Sequence, residues 1–168
     1  MLIEPLSREH NRKAFNCSEE VVTRFLHEKV LQDQERDLSR TMVLVNSKES
    51  AGRIIGYHTL VMTQVKQAEI PNDHPRIKRG IPVILLGQLG VDAKYQGQSL
   101  GDILLMDVQA RTNEISGKVG VWALMLDARN ERLAGWYEKH DFFRFPKSLR
   151  MFKSIEAIRL FNLLDEIE

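Results

Sequence analysis

The stretch from Leu85 to Val108 constrains the chain most. Val83, Ile84, Leu85, Leu86, Leu89 and Val91 read as a buried strand, and Leu100, Ile103, Leu104 and Val108 recur as one side of a helix. Between them lies a short polar turn, Gln96-Gly97-Gln98-Ser99-Leu100-Gly101. A strand feeding a small-residue loop that opens a helix leaves several backbone N–H groups unpaired beside the positive end of the helix dipole. That is the geometry of a diphosphate cradle. Taken alone, the same turn serves equally as a tight connection in which Gly101 permits close helix-to-strand packing. No Lys-Ser or Lys-Thr follows the loop, as a nucleotide-hydrolysing phosphate loop requires, and the spacing is not that of a dinucleotide fingerprint.

The rest of the chain alternates helical and strand patterns around this unit. Residues 1–6 read as a short strand stopped by Pro5. Ser18 with Glu19 and Glu20 predicts a helix start, and Val22, Phe25, Leu26 and Val30 give it one buried face running toward Arg36. Thr41–Val45 and Ile54–Val65, separated by the polar turn from Asn46 to Gly52, predict an antiparallel hairpin. A charged loop, Gln67 to Gly80, then leads to the central strand. After the loop and its helix, Val119–Leu126 predicts a second strand beside the central one. A helix from about Asn130 aligns Leu133, Trp136, Tyr137 and His140. Leu149–Phe152 predicts a last strand, and Ser154 opens a terminal helix with Ala157, Leu160, Phe161 and Leu164 at helical spacing.

Composition bounds the class. The 168 residues, 43% hydrophobic and 28% charged, suit one globular domain spanning 1–168. A net charge of +1 leaves any polyanion to a local patch of cations rather than to bulk basicity. Cys17 is the single cysteine, which excludes an intrachain disulfide and suits a reducing compartment. No stretch is long and apolar enough to span a bilayer, so the expected location is the cytoplasm. The five histidines, His10, His27, His58, His74 and His140, have no paired metal-ligand spacing and no cysteine partner, and no metal is expected.

The turn resembles the coenzyme A loop of the GNAT acyltransferase superfamily, whose pattern is Gln or Arg, two variable residues, Gly, one variable residue, then Gly or Ala. Gln96 and Gly101 match, and Ser99 stands where glycine is usual. More narrowly, the chain resembles the acetyltransferase toxins of bacterial toxin–antitoxin pairs. The residues behind this are Glu4-Pro5-Leu6, His10, Phe15-Asn16-Cys17, Gly56-Tyr57-His58-Thr59-Leu60, Leu89-Gly90-Val91-Asp92 leading into Tyr95-Gln96-Gly97, then Asn130, Trp136-Tyr137-Glu138 and Phe142-Phe143.

The resemblance implies an α/β (α+β) chain with the GNAT fold, a central mixed and mostly antiparallel sheet flanked by helices, with acetyl-CoA in the splay between the two central strands. It implies that Leu89, Gly90 and Val91 offer backbone groups to the pantetheine arm, that Gln96, Gly97, Gln98, Ser99, Leu100 and Gly101 hold the diphosphate, and that Asn130 touches the coenzyme. Tyr137 would then be the general acid beside the thioester sulfur. At Ser99 a Cβ would crowd the phosphates, whereas its hydroxyl would cap the helix or donate to a phosphate oxygen. The implied acceptor is the α-amino group of an aminoacyl-tRNA, whose acetylation blocks translation. The implied partner is an antitoxin with a DNA-binding domain.

The chemistry is consistent with these residue types. A thiol has a pKa of roughly 8.5 and a phenol one of about 10, so a neutral tyrosine can protonate the departing sulfur. The α-amine of an aminoacyl ester is less basic than a peptide amine at roughly 7.7 to 8.0, so it needs no strong base. Arg76, Lys78 and Arg79, with Lys147, Arg150 and Lys153, are the candidate RNA-phosphate contacts, whose binding is salt-sensitive. A solvated charged face is the plainer reading of the same cations. Two other functions stay open on sequence: a GNAT enzyme acetylating a small amine or a protein amine, and a noncatalytic acyl-CoA-binding or interaction module. The terminal helix could also pair two copies in a homodimer, although an amphipathic stripe of this kind usually packs on its own core.

Overall fold

A computed structural model describes residues 1–46, 48, 52–70 and 79–165. Its strands are β1 (Leu2–Pro5), β2 (Arg40–Val45), β3 (Ile54–Val65), β4 (Ile81–Val91), β5 (Ala123–Asp127), β6 (Phe143–Arg144) and β7 (Arg150–Ser154). Its helices are α1 (Glu20–Glu28), α2 (Val30–Glu35), α3 (Leu100–Ser116), α4 (Glu131–Glu138) and α5 (Ile155–Asp165). The strands form one sheet in the order β1-β2-β3-β4-β5-β7-β6. The chain divides into two compact units, Met1–Val61 with Gly87–Val108, and Met62–Leu86 with Gln109–Glu168.

In the first unit β1 pairs antiparallel with β2 and β2 with β3, as the hairpin reading expects, with a bulge between Leu44 and Val45. One core cluster joins Leu6, Phe15, Cys17, Val22, Leu26, Val30, Val43, Ile54 and Tyr57. The other joins Leu44, Ile55, Leu100 and Leu104 to Leu89, Val91 and Tyr95. The predicted helix from Ser18 to Arg36 is divided at Lys29, where Arg12 Nη1 donates to the carbonyls of Leu26 and His27 at 3.4 and 3.1 Å. A side chain that takes carbonyls from the i→i−4 ladder distorts a helix at that turn. Ser18 does not cap α1, whose first position follows Glu19 without a side-chain cap. On α3 the buried face is Leu100, Leu104, Leu105 and Val108, while Ile103, which the spacing placed with them, is 41% exposed.

In the second unit β4 and β5 run parallel from Val83 opposite Ala123 to Leu86 opposite Leu126, and β7 pairs antiparallel with β5 and with β6. The β4–β5 ladder ends there, although β4 continues to Val91. The core joins Val65, Ile70, Ile81, Val83, Ala123, Met125, Phe145 and Phe152. The second strand begins at Ala123 rather than Val119, which is exposed beyond the turn that ends α3. Ser154 Oγ accepts from the Ala157 N–H at 3.2 Å, so it does open α5. That helix buries Ile158 and exposes Leu160; the side chain of Leu164 lies outside the described part. Of the predicted turns, residues 47, 49–51 and 71–78 lie outside the described residues. No helix among the described residues is long and apolar enough to cross a membrane.

Candidate active site

The loop sits on a strand end pinned from both faces. Leu89 and Val91 pack with the cluster of Leu44, Ile55, Leu100 and Leu104. Gly90 faces the other way, where a Cβ would lie 2.5 Å from Val22 Cγ1. The Asp92 side chain caps a 3-10 turn, Ala93–Tyr95, by accepting from the Lys94 N–H at 3.0 Å. Gln96 then folds back, its Nε2 donating to the Val91 carbonyl at 3.1 Å and to Ser18 Oγ at 3.3 Å. Ser18, expected as a helix cap, is thus a tie for the loop.

Gln96, Gly97, Gln98 and Ser99 are exposed, and Leu100 is buried beneath them at the start of α3. The first N–H groups of a helix lack intrahelical acceptors, and here they follow residues that leave room beside the chain. Gly97 adopts φ +77°, and a Cβ on it would meet nothing within 4 Å. An anion fits such a place, stabilised by the N–H groups and the positive end of α3.

Ser99 has φ +55°, in the left-handed region where a Cβ costs about 1–2 kcal/mol. Its Cβ therefore acts first on the backbone. Ser99→Gly is expected to raise stability by about 1 kcal/mol, a rise in Tm of about 2–4 °C in thermal unfolding. An unchanged or lower Tm would show that the serine is held without strain.

The second unit carries Asn130 and Tyr137. Asn130 Oδ1 caps α4 by accepting from the Leu133 N–H at 2.9 Å, and the amide nitrogen takes no part in that cap. Tyr137, near the end of α4, is 8% exposed. Its ring meets Trp136 edge-on at 4.8 Å and Phe142 at 5.6 Å, and its carbonyl accepts from the Phe142 N–H at 3.2 Å. Burial pushes its hydroxyl above the ordinary phenol value, with the Arg129 charge pulling weakly the other way. The hydroxyl is therefore protonated at neutral pH, as an acid must be. No hydrogen bond engages it among the described residues, which leaves it available to a bound group.

The candidate RNA contacts separate sharply. Arg76 and Lys78 lie outside the described residues, while Arg79 and Lys147 are exposed. Arg150 is paired with Asp127 through two bonds of 2.8 and 3.1 Å. Lys153 is 2% exposed, its Nζ donating to the His140 carbonyl at 3.1 Å and lying over the Phe161 ring. It is a core residue and not part of a phosphate-binding surface. The described histidines are engaged inside the protein: His10 with Glu4, His27 with the Phe15 carbonyl, His140 against the Trp136 ring, and His58 with Asp107 at 2.6 Å, which ties β3 to α3.

Asp92, which stands in the motif Leu89-Gly90-Val91-Asp92 but was given no role there, is paired with Arg53, which the patterns did not single out. The signal for Asp92 was present: an acid directly after the apolar run Leu89-Gly90-Val91, where burial requires a cationic partner.

No family model matches the chain. A tRNA-acetylating toxin of Mycobacterium tuberculosis is 29% identical over 133 residues, which cover 77% of this chain and 76% of that protein. A protein named probable toxin TacT from Sinorhizobium fredii is 27% identical over 170 residues, covering 94% and 93%. Among solved structures, AtaT complexed with acetyl-methionyl-tRNAfMet superposes with a TM-score of 0.86 at 24% identity, covering 96% of this chain and 98% of that one. A Tyr-to-Phe variant of AtaT has also been solved with acetyl-CoA and the C-terminus of the antitoxin AtaR, and superposes at 0.78 with 23% identity over 95% and 96%. At these identities the structural likeness is a likeness of fold.

Proposed function

We propose, from the premise that this chain has the GNAT acetyltransferase fold and resembles the tRNA-acetylating toxins, that it moves an acetyl group from acetyl-CoA to the α-amino group of an aminoacyl-tRNA and so blocks translation. The observation that carries the reading is the exposed loop Gln96–Ser99 leading into the N-terminus of α3, with Gly97 open to solvent. The activity named for the Mycobacterium tuberculosis relative and the ligands of AtaT support the substrate pair, and the Sinorhizobium fredii relative is named as a probable toxin. The reading takes residues 1–168 as one catalytic domain in the cytoplasm, where charged tRNA is found. An antitoxin with a DNA-binding domain would hold the activity in check.

In this reading the loop N–H groups and the start of α3 bind the diphosphate. The backbone of Leu89, Gly90 and Val91, past the end of the β4–β5 ladder, pairs with the pantetheine arm, and the Asn130 amide nitrogen adds a donor to the coenzyme. Acetyl-CoA supplies an activated acetyl thioester. The neutral amine attacks the carbonyl carbon, a C–N bond forms as the C–S bond breaks, and the Tyr137 hydroxyl gives its proton to sulfur while the amine proton passes to water. The phenol needs no base to hold it ready, because burial favours its neutral form.

The test is transfer of labelled acetyl from acetyl-CoA to a mixed pool of charged tRNAs, beside uncharged tRNA and free amines. Label on charged tRNA alone is the expected result and identifies the amino acid. Label confined to small amines or proteins would overturn the toxin reading and keep the enzyme. On the acceptor side, Arg79→Glu with Lys147→Glu is expected to raise KM for charged tRNA several-fold while leaving coenzyme binding unchanged, and wild-type use of tRNA should weaken steeply with salt. A salt-insensitive KM, or an unaltered one in the double variant, would remove these cations from the RNA surface.

A further inference from the structure

Asp92, the residue after β4, is 1% exposed. Its Oδ2 accepts from Arg53 Nη2 at 2.9 Å and from the Asn16 backbone N–H at 3.0 Å, while its Oδ1 accepts from the Lys94 N–H at 3.0 Å. Backbone bonds close the same corner: the Asp92 N–H donates to the Ile55 carbonyl at 2.9 Å, and the Ala93 N–H to the Asn16 carbonyl at 2.8 Å. Arg53 also donates through Nη1 to the Ala14 carbonyl at 2.6 Å. A buried carboxylate with a guanidinium and two backbone donors has its charge and lone pairs answered, which is the condition for such a pair to be tolerated.

The segment from Ala14 to Ser18 therefore grips the turn at both ends. Asn16 bonds Asp92 and Ala93 where the turn begins, and Ser18 accepts from Gln96 where it gives way to the loop. This accounts for Phe15-Asn16-Cys17, a motif with no group in the acetyl transfer itself. Phe15 and Cys17 are buried anchors, and the backbone between them does the holding.

We infer that Asp92 is a positioning residue for the coenzyme's diphosphate. It locks Arg53 and the segment from Ala14 to Ser18 onto the junction of β4 with the loop, so that the loop N–H groups are set before the ligand arrives. Preorganised donors spare a ligand the cost of ordering them, and small displacements of such groups are expensive. The inference rests on the loop being the coenzyme site.

The test uses the full chain and the two halves of the coenzyme, 3′-phosphoadenosine 5′-diphosphate and acetyl-pantetheine. Asp92→Asn keeps the size of the side chain and one acceptor oxygen, but removes the charge facing Arg53. The expected result is that Kd for coenzyme A and for the phosphate-bearing half, read by calorimetry, rises about tenfold, while turnover with acetyl-pantetheine changes little. If Asp92→Asn does not fold, Arg53→Gln withdraws the same charge from the other partner and carries the test. Equal losses with both halves would show a role in stability alone and overturn the inference, as would an unchanged Kd for the phosphate-bearing half. Wild-type protein that binds neither coenzyme A nor its phosphate-bearing half would overturn the coenzyme reading itself.

Discussion

Tyr137→Phe is expected to lower kcat for acetyl transfer by about 10²- to 10⁴-fold while coenzyme A binds as before. The ring does the packing, against Trp136 and Phe142, and phenylalanine keeps it. The hydroxyl is the part removed. No described residue bonds it, so its loss leaves no polar group stranded, and Tm should stay level or rise. Single-turnover rates with saturating donor, set beside calorimetric binding of coenzyme A, separate the two effects. Loss of binding, or turnover within a few-fold of wild type, would take the acid role away from Tyr137.

The pH profile gives a second check on the same group. Burial raises the hydroxyl above the ordinary phenol value, so the acid form persists through neutral and mildly alkaline pH. The wild-type rate should climb as the acceptor amine loses its proton and then hold level to about pH 10. The same shift has a stability sign. A pKa raised in the folded state favours folding below the unfolded phenol value, and that contribution is lost as pH rises through the folded one, so the loss of stability at alkaline pH should be smaller in Tyr137→Phe than in the wild type. A rate that falls between neutral pH and about pH 9 would mean a different acid.

What the sequence made legible were patterns whose period and boundary agree. The hairpin of β2 and β3 is framed by β-branched runs and a polar turn, and β4 with its loop and α3 changes period from two to 3.6 across a few small residues. Several misses depended on tertiary contacts that local patterns do not encode. Arg12 reaches Leu26 and His27 from fourteen and more positions away and divides a helix that its own apolar spacing would have kept whole. Ile103 and Leu105 are each one step from Leu104, and which of them turns inward depends on what α3 packs against; Leu105 is buried and Ile103 is not. Lys153 reads as a surface cation because nothing near it in sequence shows that the His140 carbonyl and the Phe161 ring enclose its ammonium. At the loop, residue types indicated an anion site, whereas the ties of Asp92 and Gln96 to Asn16, Arg53 and Ser18 span up to 78 positions and carry no local periodicity.

Gly90→Ala is expected to destabilise the protein by about 1–3 kcal/mol, seen as a lower denaturation midpoint, and Gly90→Val by more. A glycine inside β4 weakens the strand, which calls for a reason in space. The reason is α1. A Cβ at residue 90 would stand 2.5 Å from Val22 Cγ1, 3.5 Å from Cys17 Sγ and 3.6 Å from the Phe15 ring, all in the core cluster beneath that helix. The missing side chain lets α1 and the Phe15–Cys17 segment approach the strand, while Leu89 and Val91 face the opposite cluster. Any coenzyme contact from residue 90 therefore comes from its backbone, and Gly90→Ala should cost stability before it costs affinity. Because the nearest atom is one methyl of one valine, the effect should be specific to that pair. Val22→Ala alone opens a cavity and destabilises, but in the Gly90→Ala background it should recover much of the loss, giving a double-mutant coupling of about 0.5–3 kcal/mol. Simple addition of the two losses would mean that α1 shifts as a body to admit the new methyl, and that the fit of helix to strand, rather than the space at Gly90, sets the position of the strand end that carries the loop.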